Sequence, residues 1–448
     1  MNHIGAAASP GPGKKSLAGP QPPHPQAGTS PPVRIQRLGA DGDGVADGPG
    51  GNALFLADTL PGELVQPGPL VRRGEGWAAD AAVLEPSPER VAPPCPHFGP
   101  CGGCTVQHWR DDAYAGWKAG QVDDALRRLG PDTPDVLLAR TPPGARRRMD
   151  LAIRRLGPKV VIGLHRRRSP DIVDMHACPI LHPALFALIQ ALRPVLQRLQ
   201  GLRRDGSAVV NLLDSGPDLL LRTDGTLTAG DRTLLTALAN THGLPRISWA
   251  QGTQRGSMGA PEPACLLRPA TTSLGGVSTA VPPGAFLQAS AEGEAAVVAA
   301  VLDALPPLAP KARVIELFAG VGSLTHAIAT RARVQAFEGD GDAFTALRRA
   351  GNPRVEVVQR DLARQPLQAT EFKGAGAVVL DPPHGGALMQ MPALAASGLP
   401  VVYVSCNPAA LARDGRVLVQ AGYRAVKAAA IDQFLWSARV ESVVAFRK

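Results

Sequence analysis

The sequence has no long apolar segment: no run approaches about 18 uninterrupted apolar residues, the length that a membrane-spanning helix requires. The first residues also lack the charged stretch followed by an apolar core that marks a secretory signal peptide. Aromatic residues make up only 4% of the chain, and only six cysteines occur. We therefore expect a cytoplasmic protein without a membrane partner, in which disulfide bonds do not form.

Basic residues exceed acidic ones, with 47 Lys and Arg against 38 Asp and Glu, which gives a formal charge of +9. A positive excess favours an anionic partner, and nucleic acid is the first candidate because basic side chains bind phosphates. Arginines crowd one central segment, at positions 146–148, 154–155 and 166–168. A coding bias towards arginine is the alternative explanation.

The 448 residues are too many for one hydrophobic core, and the composition changes along the chain. Residues 1–32 are rich in Pro, Gly, Ala and Ser and predict a disordered leader. Residues 33–90 alternate short β-type runs with turns, which predicts a small β-barrel. Residues 91–283 predict a central α+β domain, and residues 284–448 alternate strand and helix patterns, as in a doubly wound sheet.

The strand that ends near Phe318 runs into a turn containing Gly320 and Gly322. The third glycine of a dinucleotide-binding fingerprint is missing, since Thr325 stands in its place. Glu338 ends the next strand, where a carboxylate can accept both hydroxyls of a ribose. This pattern fits an adenosyl ligand without a pyrophosphate, and S-adenosylmethionine is the natural choice. The alternative is a purely structural turn followed by a solvated glutamate.

Asp381-Pro382-Pro383 follows a second apolar run. Prolines stiffen a loop, so the carboxylate can be held at the sheet edge beside cofactor and substrate. Amino-group methylases of nucleic acids use a similar loop, usually followed by an aromatic residue. Here His384 follows, which argues against that alternative.

A third apolar run ends at Cys406, between Ser405 and Asn407. A cysteine in such a sharp polar turn predicts a nucleophile, and it is needed where the target carbon is inert. C5 of uracil becomes nucleophilic only after a thiolate adds to C6. The C5 proton must then be removed, and Glu441 in the terminal strand is the candidate base. The alternatives are a buried structural cysteine and a solvated glutamate.

Four of the remaining cysteines form one candidate metal site: Cys95, Cys101 and Cys104, joined across a gap by Cys178. Three neighbouring cysteines and a remote fourth suit a [4Fe–4S] cluster, whereas structural zinc prefers two Cys-x-x-Cys pairs. Zinc remains the alternative. Cys265 fits no pattern and is expected to serve packing.

From about residue 33 the chain resembles the uracil-C5 RNA methyltransferases, and within them the iron–sulfur branch that acts on 23S rRNA and carries an N-terminal TRAM barrel. The motifs that carry the resemblance are, in chain order, Cys95-x5-Cys101-Gly-Gly-Cys104-x-x-Gln107-His108, Phe286-Leu287-Gln288, the turn from Phe318 to Ser323, Asp381-Pro382-Pro383, Ser405-Cys406-Asn407-Pro408, and Asp432-Gln433-Phe434 leading to Val440-Glu441.

The resemblance implies a TRAM- or OB-like barrel, an iron–sulfur loop in the central domain and a Rossmann-like class I methyltransferase domain. It also implies that a set of side chains contacts S-adenosylmethionine: Gln288, Phe318, Ser323, Glu338 and Asp381, with Asp361 on the adenine side. Cys406 matches the nucleophile and Glu441 the base. The barrel and the basic central domain would hold an RNA loop while the target uridine is flipped out.

The chain departs from the family pattern at three places. Ser323 replaces the usual asparagine, so its hydroxyl would make that cofactor contact. His384 replaces the usual arginine, and residues 435–439 read Leu-Trp-Ser-Ala-Arg where Pro, Thr and His are common.

We therefore predict a monomeric, S-adenosylmethionine-dependent enzyme that forms 5-methyluridine in 23S rRNA. One alternative is a tRNA uridine-C5 methyltransferase, although that branch lacks the cysteine group and the barrel. Another is a non-catalytic iron–sulfur RNA-binding protein. A cytosine-C5 methyltransferase would carry a second cysteine where this chain has Asp381.

Overall fold

The computed structural model describes residues 30–252, 258–309 and 311–448. Nearly all of the leader predicted for residues 1–32 lies outside these residues. Contacts divide the chain into two compact units. The first comprises the described residues up to Arg37 together with Gly44–Pro86, and the second comprises Leu38–Asp43 and Ser87–Lys448. Among the described residues, no helix combines the length and the apolar character needed to span a bilayer.

The first unit is built from short strands: β1 (Val33–Arg34), β2 (Arg37–Leu38), β3 (Gly44–Asp47), β4 (Ala53–Leu56), β5 (Leu64–Pro67), β6 (Val71–Arg73), β7 (Gly76–Ala79) and β8 (Ala81–Glu85). They form a three-stranded sheet in the order β1-β5-β8 and a five-stranded sheet in the order β2-β3-β4-β7-β6. Alternate side chains of a strand point to opposite faces, so Leu54 and Leu56 on β4 are buried together with Val65 on β5.

The second unit contains longer elements. Its strands are β9 (Val136–Arg140), β10 (Arg148–Leu156), β11 (Lys159–His165), β12 (Ile172–Asp174), β13 (Asp205–Leu213), β14 (Gly216–Thr223), β15 (Arg246–Gln251), β16 (Glu262–Leu266), β17 (Thr271–Leu274), β18 (Val277–Ala280), β19 (Arg313–Leu317), β20 (Arg333–Glu338), β21 (Val355–Gln359), β22 (Ala375–Leu380), β23 (Val401–Ser405), β24 (Arg424–Asp432) and β25 (Glu441–Arg447). Its α-helices are α1 (Asp111–Arg127), α2 (Pro183–Arg198), α3 (Ala229–His242), α4 (Ala291–Ala304), α5 (Ser323–Ala329), α6 (Gly341–Arg349), α7 (Met391–Ser397) and α8 (Pro408–Gln420). Short 3-10 helices cover Pro49–Gly51 in the first unit, and Ala369–Phe372 and Leu388–Gln390 in the second.

A seven-stranded sheet carries helices α2 and α3, in the strand order β12-β11-β10-β13-β14-β15-β16. Helix α2 buries Leu185, Leu188, Leu192 and Leu196, which recur every three or four residues and so share one face. Helix α3 begins at a capping box made by Thr228 with Asp231 and ends at Gly243 in the left-handed conformation.

An eight-stranded sheet has the order β21-β20-β19-β22-β23-β25-β24-β9. The first five strands are parallel to one another, and β25 runs antiparallel to both of its neighbours. The strand order reverses between β19 and β22. In open α/β sheets ligands bind outside the carboxyl ends of the strands at such a reversal, and this position therefore locates the candidate site.

Strand β9 belongs to this second sheet, where it pairs in parallel with β24, although residues 91–283 are predicted as a separate central domain. Helix α1 also packs into the core of this sheet through Val122, Ala125 and Leu126. The predicted boundary between residues 283 and 284 stays a prediction, but two elements that precede it contribute to the sheet that follows it.

A buried polar contact ties α1 to the end of β24. Lys118 Nζ lies 2.9 Å from Asp432 Oδ1, and neither side chain is exposed to solvent. The Tyr114 hydroxyl donates to the other carboxylate oxygen of Asp432 over 2.6 Å. A buried charge is tolerated only where its partners compensate it, so this contact fixes how the helix and the strand meet.

Candidate active site

One cavity of about 700 Å³ opens at the carboxyl ends of β19, β20, β22 and β23. It is lined by seven of the eight side chains predicted for the catalytic and cofactor sites: Gln288, Phe318, Ser323, Glu338, Asp381, Cys406 and Glu441. The eighth, Asp361, is not among the lining residues. These seven residues are spread over more than 150 positions of sequence. Parallel strands bring them together because their carboxyl ends meet at one edge of the sheet.

The turn after β19 is conformationally unusual. Phe318 has a φ of +64° and Gly322 a φ of +104°, both on the left-handed side. A side chain added at Gly322 would come within 2.6 Å of Leu347, so only glycine fits there. A non-glycine residue such as Phe318 adopts this conformation at an energetic cost, and such residues cluster at functional sites.

Glu338 links this turn to the end of β20. One carboxylate oxygen accepts from the Gly320 backbone N–H over 2.7 Å, and the other accepts from the Asp340 N–H over 2.6 Å. Each carboxylate oxygen has two lone pairs, so Glu338 retains capacity to accept hydrogen bonds from a ligand in the cavity.

Asp361 lies beyond the end of β21 and has a half-exposed side chain. Its Oδ1 accepts from the backbone N–H groups of Ala363 and Arg364, and its other oxygen lies 3.4 Å from the Arg364 guanidinium. Its backbone borders Gly339, next to Glu338. The predicted adenine-side contact stays a prediction.

Three carboxyl groups of the second unit line the cavity and are buried from solvent. Burial raises the pKa of Glu316 to about 8, and desolvation raises the pKa of Asp381 to about 7. Burial and the nearby charge of Asp381 raise the pKa of Glu441 well above its ordinary value. Like charges in a poorly hydrated site repel one another, so the group is suited to a cationic ligand.

Glu441 is held by an amide network. Gln433 Nε2 donates to Glu441 over 3.0 Å and to the side-chain oxygen of Gln288 over 2.6 Å. The side-chain oxygen of Gln433 accepts from the Ala289 N–H over 3.0 Å, which fixes the orientation of the amide. Gln433 lies in a recognised motif but carries no predicted role, and the structure shows that it joins a predicted cofactor residue to the predicted base.

Cys406 lies between the end of β23 and the first turn of α8. Burial and the charges of Glu441 and Asp381 raise the pKa of its thiol to about 11, while Arg439 acts in the opposite direction. The following residue, Asn407, caps α8 by accepting from the Ala409 and Ala410 backbone N–H groups. Proximity to a helix N-terminus favours a thiolate, and burial opposes it.

Ser323 lines the cavity and also contacts a second side chain, and the cofactor contact predicted for it stays a prediction. Its hydroxyl donates to Glu294 over 3.2 Å, and Glu294 also accepts from Arg147 over 2.6 Å in a largely buried ion pair. The hydroxyl oxygen keeps lone pairs for a ligand. Glu294 lies on α4, outside every motif, so the sequence carries no signal for this contact.

Comparison with known proteins gives full-length relatives. A Brucella melitensis protein named an uncharacterized RNA methyltransferase is 38% identical over 424 residues, which cover 93% of this chain and 97% of the relative. A Chromohalobacter salexigens protein named 23S rRNA (uracil(1939)-C(5))-methyltransferase RlmD is 36% identical over 435 residues, 93% of this chain and 89% of the relative. This chain belongs to the RNA methyltransferase family. No protein-family profile matches it.

The fold of this RNA methyltransferase is similar to that of the Pyrococcus abyssi tRNA (uracil-54, C5)-methyltransferase crystallised with S-adenosyl-L-homocysteine. The TM-score is 0.70 at 21% sequence identity, and the match covers 93% of this chain and all of the other. The predicted mixed α/β methyltransferase fold is thereby confirmed.

The four cysteines predicted as metal ligands, Cys95, Cys101, Cys104 and Cys178, are free thiols that line a second, apolar cavity of the methyltransferase. Burial raises the pKa of Cys104 to about 12, and its three neighbours add to the effect. In the described ranges, no three or more His, Cys, Asp or Glu side chains form a group that could hold a metal ion. Cys265 is buried in the core under α2 and α3, as its predicted packing role requires.

The segment that bears these cysteines also contacts the loop between Gln433 and Glu441, in which Phe434 lines the first cavity. The backbone N–H groups of Thr105 and Val106 both donate to the Trp436 carbonyl, over 2.8 and 3.1 Å. Trp436 belongs to the loop between Gln433 and Glu441 and has a φ of +57°. The divergent residues 435–439 are therefore in contact with the cysteine segment.

The arginine groups predicted to bind RNA are in part structural. Arg155 donates to the carbonyls of Leu196 and Leu199 at the end of α2, and so caps that helix. Arg147 is engaged with Glu294, and Arg154 with Asp205 over 2.7 Å. Arg148 differs, because its guanidinium lies 5.3 Å from the ring centre of Phe286, an exposed side chain on the rim of the first cavity.

The buried carboxyl of Glu316 generates a prediction about stability and pH. Its folded pKa is about 8 against an ordinary value of 4.5, so the folded protein retains a proton that the unfolded chain has lost. Its contribution to stability is complete below pH 4.5 and is lost as the pH rises through 8. We therefore compare the melting temperatures of Glu316→Gln and wild type in thermal unfolding without ligand. At pH 8.5 the variant should melt a few degrees Celsius higher than wild type, and at pH 5 the two melting temperatures should be equal. Glu292→Gln, at an exposed position of α4, is the control. An equal difference at both pH values would contradict the prediction.

Proposed function

We propose that this RNA methyltransferase transfers a methyl group from S-adenosylmethionine to C5 of a uridine, with 23S rRNA as its substrate. The observation that carries the proposal is the convergence of Cys406 and Glu441 on one cavity with Asp381. A nucleophile and a base on the same cavity are what methylation at an inert pyrimidine carbon requires. The Chromohalobacter salexigens relative, named for this reaction on 23S rRNA, supports the choice of substrate.

The polar lining of the cavity suits S-adenosylmethionine, which supplies the methyl group when bound. Its positive charge would compensate the desolvated carboxyl of Asp381 and lower that pKa towards its ordinary value. Glu338 has free lone pairs for ribose hydroxyls, and Gln288 and Ser323 add polar atoms to the same wall. Phe318 supplies an apolar surface, and Asp361 borders the same end of the sheet.

The chemistry follows from the positions of two side chains. The Cys406 thiolate adds to C6 of uracil, and the electrons of the C5–C6 double bond form an enolate. Its C5 bonds to the methyl carbon as the bond from that carbon to the sulfonium sulfur breaks, and the electron pair of that bond stays on sulfur in the departing thioether, S-adenosylhomocysteine. The Glu441 carboxylate then takes the C5 proton, the C5–H electrons restore the double bond, and the C6–S bond breaks to return the thiolate. Gln433 keeps the carboxylate of Glu441 oriented during these steps.

The first unit is proposed to be a TRAM-type barrel that binds RNA. Two of its arginines lie over aromatic rings: Arg72 is 4.6 Å from the ring centre of Trp77, and Arg73 is 4.5 Å from that of Phe55. Basic and aromatic groups presented together suit stacked bases and phosphates of single-stranded RNA. Within the second unit, Arg148 and Phe286 offer the same combination at the cavity rim.

The four cysteines are proposed to hold a [4Fe–4S] cluster. Four free thiols line their cavity together with mostly apolar neighbours, His97 and Gln107, and no acidic residue. This lining suits the thiolate ligation of such clusters. A single zinc ion would need its four sulfurs drawn to about 2.3 Å from one point. A cluster places its ligands farther apart, and the spacing of three neighbouring cysteines with a remote fourth supports the cluster over zinc.

Loss and recovery of the modified nucleoside tests the reaction. In a strain lacking this protein, we expect 5-methyluridine to disappear from 23S rRNA but not from tRNA, as measured by nucleoside mass spectrometry of the separated RNAs. Wild type and Cys265→Ala should restore it, and Cys406→Ala should not, because the thiolate is lost. Loss from tRNA instead would favour the tRNA alternative. Unchanged 5-methyluridine in every RNA, with no binding of S-adenosylmethionine to the purified protein, would favour a non-catalytic RNA-binding protein.

The role of Glu441 predicts a trapped intermediate. Glu441→Gln keeps the shape of the side chain but cannot take the C5 proton, so methylated RNA should remain bonded to Cys406. We expect a protein–RNA adduct that survives denaturing electrophoresis and is absent from wild type at the end of the reaction. The double variant Cys406→Ala, Glu441→Gln is the control and should form no adduct. Normal turnover by Glu441→Gln would remove Glu441 from the role of base.

The cluster is tested by analysis of the purified protein. We expect about four iron and four acid-labile sulfide per chain after anaerobic purification, as a [4Fe–4S] cluster contains. Cys101→Ser should lose most of the iron, whereas Cys265→Ser should keep it. Zinc in place of iron would overturn the assignment, as would iron content independent of Cys101.

A further inference from the structure

His384 stands between the candidate nucleophile and a cation. Its Nδ1 lies 3.6 Å from the Cys406 sulfur, within the range of hydrogen bonds to sulfur, and its Nε2 lies 3.1 Å from Arg439 Nη1. His384 is the residue that replaces the arginine usual in the family. Arg439 lies in the loop that also departs from the family pattern, so both members of this pair belong to the divergent part of the site.

The contact with Arg439 determines which ring nitrogen carries the proton. A guanidinium group only donates hydrogen bonds, so Nε2 must accept with its lone pair. The proton of the neutral imidazole therefore lies on Nδ1, the nitrogen that faces Cys406. An Nδ1–H group can donate to a thiolate but cannot accept the proton of a thiol. This tautomer consequently stabilises the ionised form of Cys406 over the neutral form.

The surroundings of Cys406 show why such a donor matters. The sulfur faces Asp381 and His384 from the loop after β22, Glu441 from β25, and Arg439 from the preceding loop. Burial and the two carboxylates oppose ionisation of the thiol, and Arg439 favours it. At neutral pH a thiol in such a site would be almost entirely protonated without a further stabilising contact.

The loop that carries His384 is anchored from two sides. Asn407 Nδ2 donates to the His384 carbonyl over 2.9 Å, while the side-chain oxygen of Asn407 caps α8. Arg413, one turn further along α8, donates to the Gly385 carbonyl over 2.7 Å. The imidazole is exposed, but the backbone of its loop is attached to α8, whose first turn follows Cys406. These hydrogen bonds fix the position of the ring relative to the sulfur.

We propose that His384, with its tautomer set by Arg439, donates its Nδ1–H to the Cys406 thiolate and so increases the fraction of reactive sulfur at neutral pH. When the thiol ionises, the S–H bond breaks, its electron pair stays on sulfur and the proton leaves to solvent. The Nδ1 proton stays on the ring of His384 in this step, and Arg439 is the positioning residue. The inference rests on the proposed function for its purpose, since a nucleophilic Cys406 is what the pair would serve.

The pH dependence of alkylation tests the inference independently of RNA methylation. The rate at which iodoacetamide modifies Cys406 is measured from pH 6 to 11 on the full-length protein, by mass spectrometry of the peptide that contains Cys406. His384→Asn places an amide N–H near the position of Nδ1, whereas His384→Gln places it farther out. We expect His384→Asn to keep most of the wild-type reactivity. His384→Gln should shift the midpoint up by about one pH unit, a tenfold loss of thiolate at neutral pH.

Three further variants complete the test. Arg439→Gln should also raise the midpoint, because the positive charge that favours the thiolate is lost together with the guanidinium contact to Nε2. Arg439→Lys keeps a charged donor and should retain more of the reactivity. His242→Gln, at the exposed end of α3, is the control and should match wild type. A wild-type midpoint in both His384→Gln and Arg439→Gln, with unchanged melting temperatures, would overturn the inference. Shifted alkylation in a protein that methylates no RNA would instead contradict the proposed function and leave the His384 contact standing.

Discussion

The withdrawal of Glu316, Asp381 and Glu441 from water is the constraint on which the rest of the site depends. The ends of the parallel strands β19 and β22 and the start of the antiparallel strand β25 place these carboxyl groups together, and burial raises the pKa of each. Such a group of acids is stable when protonated or when a cation lies among them. The site is therefore suited to a positively charged cosubstrate. Its charge would reduce the repulsion among the buried carboxylates, and this gain would contribute to the free energy of binding.

Burial and the charges of Glu441 and Asp381 raise the pKa of the Cys406 thiol. Two requirements of the site therefore conflict. Charges that attract a sulfonium group also oppose a thiolate beside it. His384, held by Arg439, contacts the sulfur of Cys406 and stabilises its thiolate. Gln433 stabilises the carboxylate of Glu441 by donating a hydrogen bond to it. His384 and Arg439, two positions predicted to depart from the family pattern, contact one another.

The sequence was sufficient where function depends on local motifs. Turns that follow buried strands carry their own signals in glycine, proline and polar residues, and for this reason seven of the eight predicted site residues lie on one cavity. Family membership, predicted from these motifs, is confirmed. Contacts between distant elements left no such signal. The hydrogen bond from Ser323 to Glu294 and the pairing of β9 with β24 arise from tertiary packing, and the capping role of Arg155 shows that arginine-rich segments can serve folding as much as RNA.

One feature of the chain joins its two cavities. The carbonyl of Trp436 accepts from both Thr105 and Val106, immediately after the last cysteine of the first group, and Lys118 on the following helix is buried against Asp432. The loop that presents Arg439 and Glu441 is therefore supported from behind by the cysteine segment. A change in the conformation of the cysteine segment would therefore reach the loop between Gln433 and Glu441 directly, through the two hydrogen bonds to the Trp436 carbonyl.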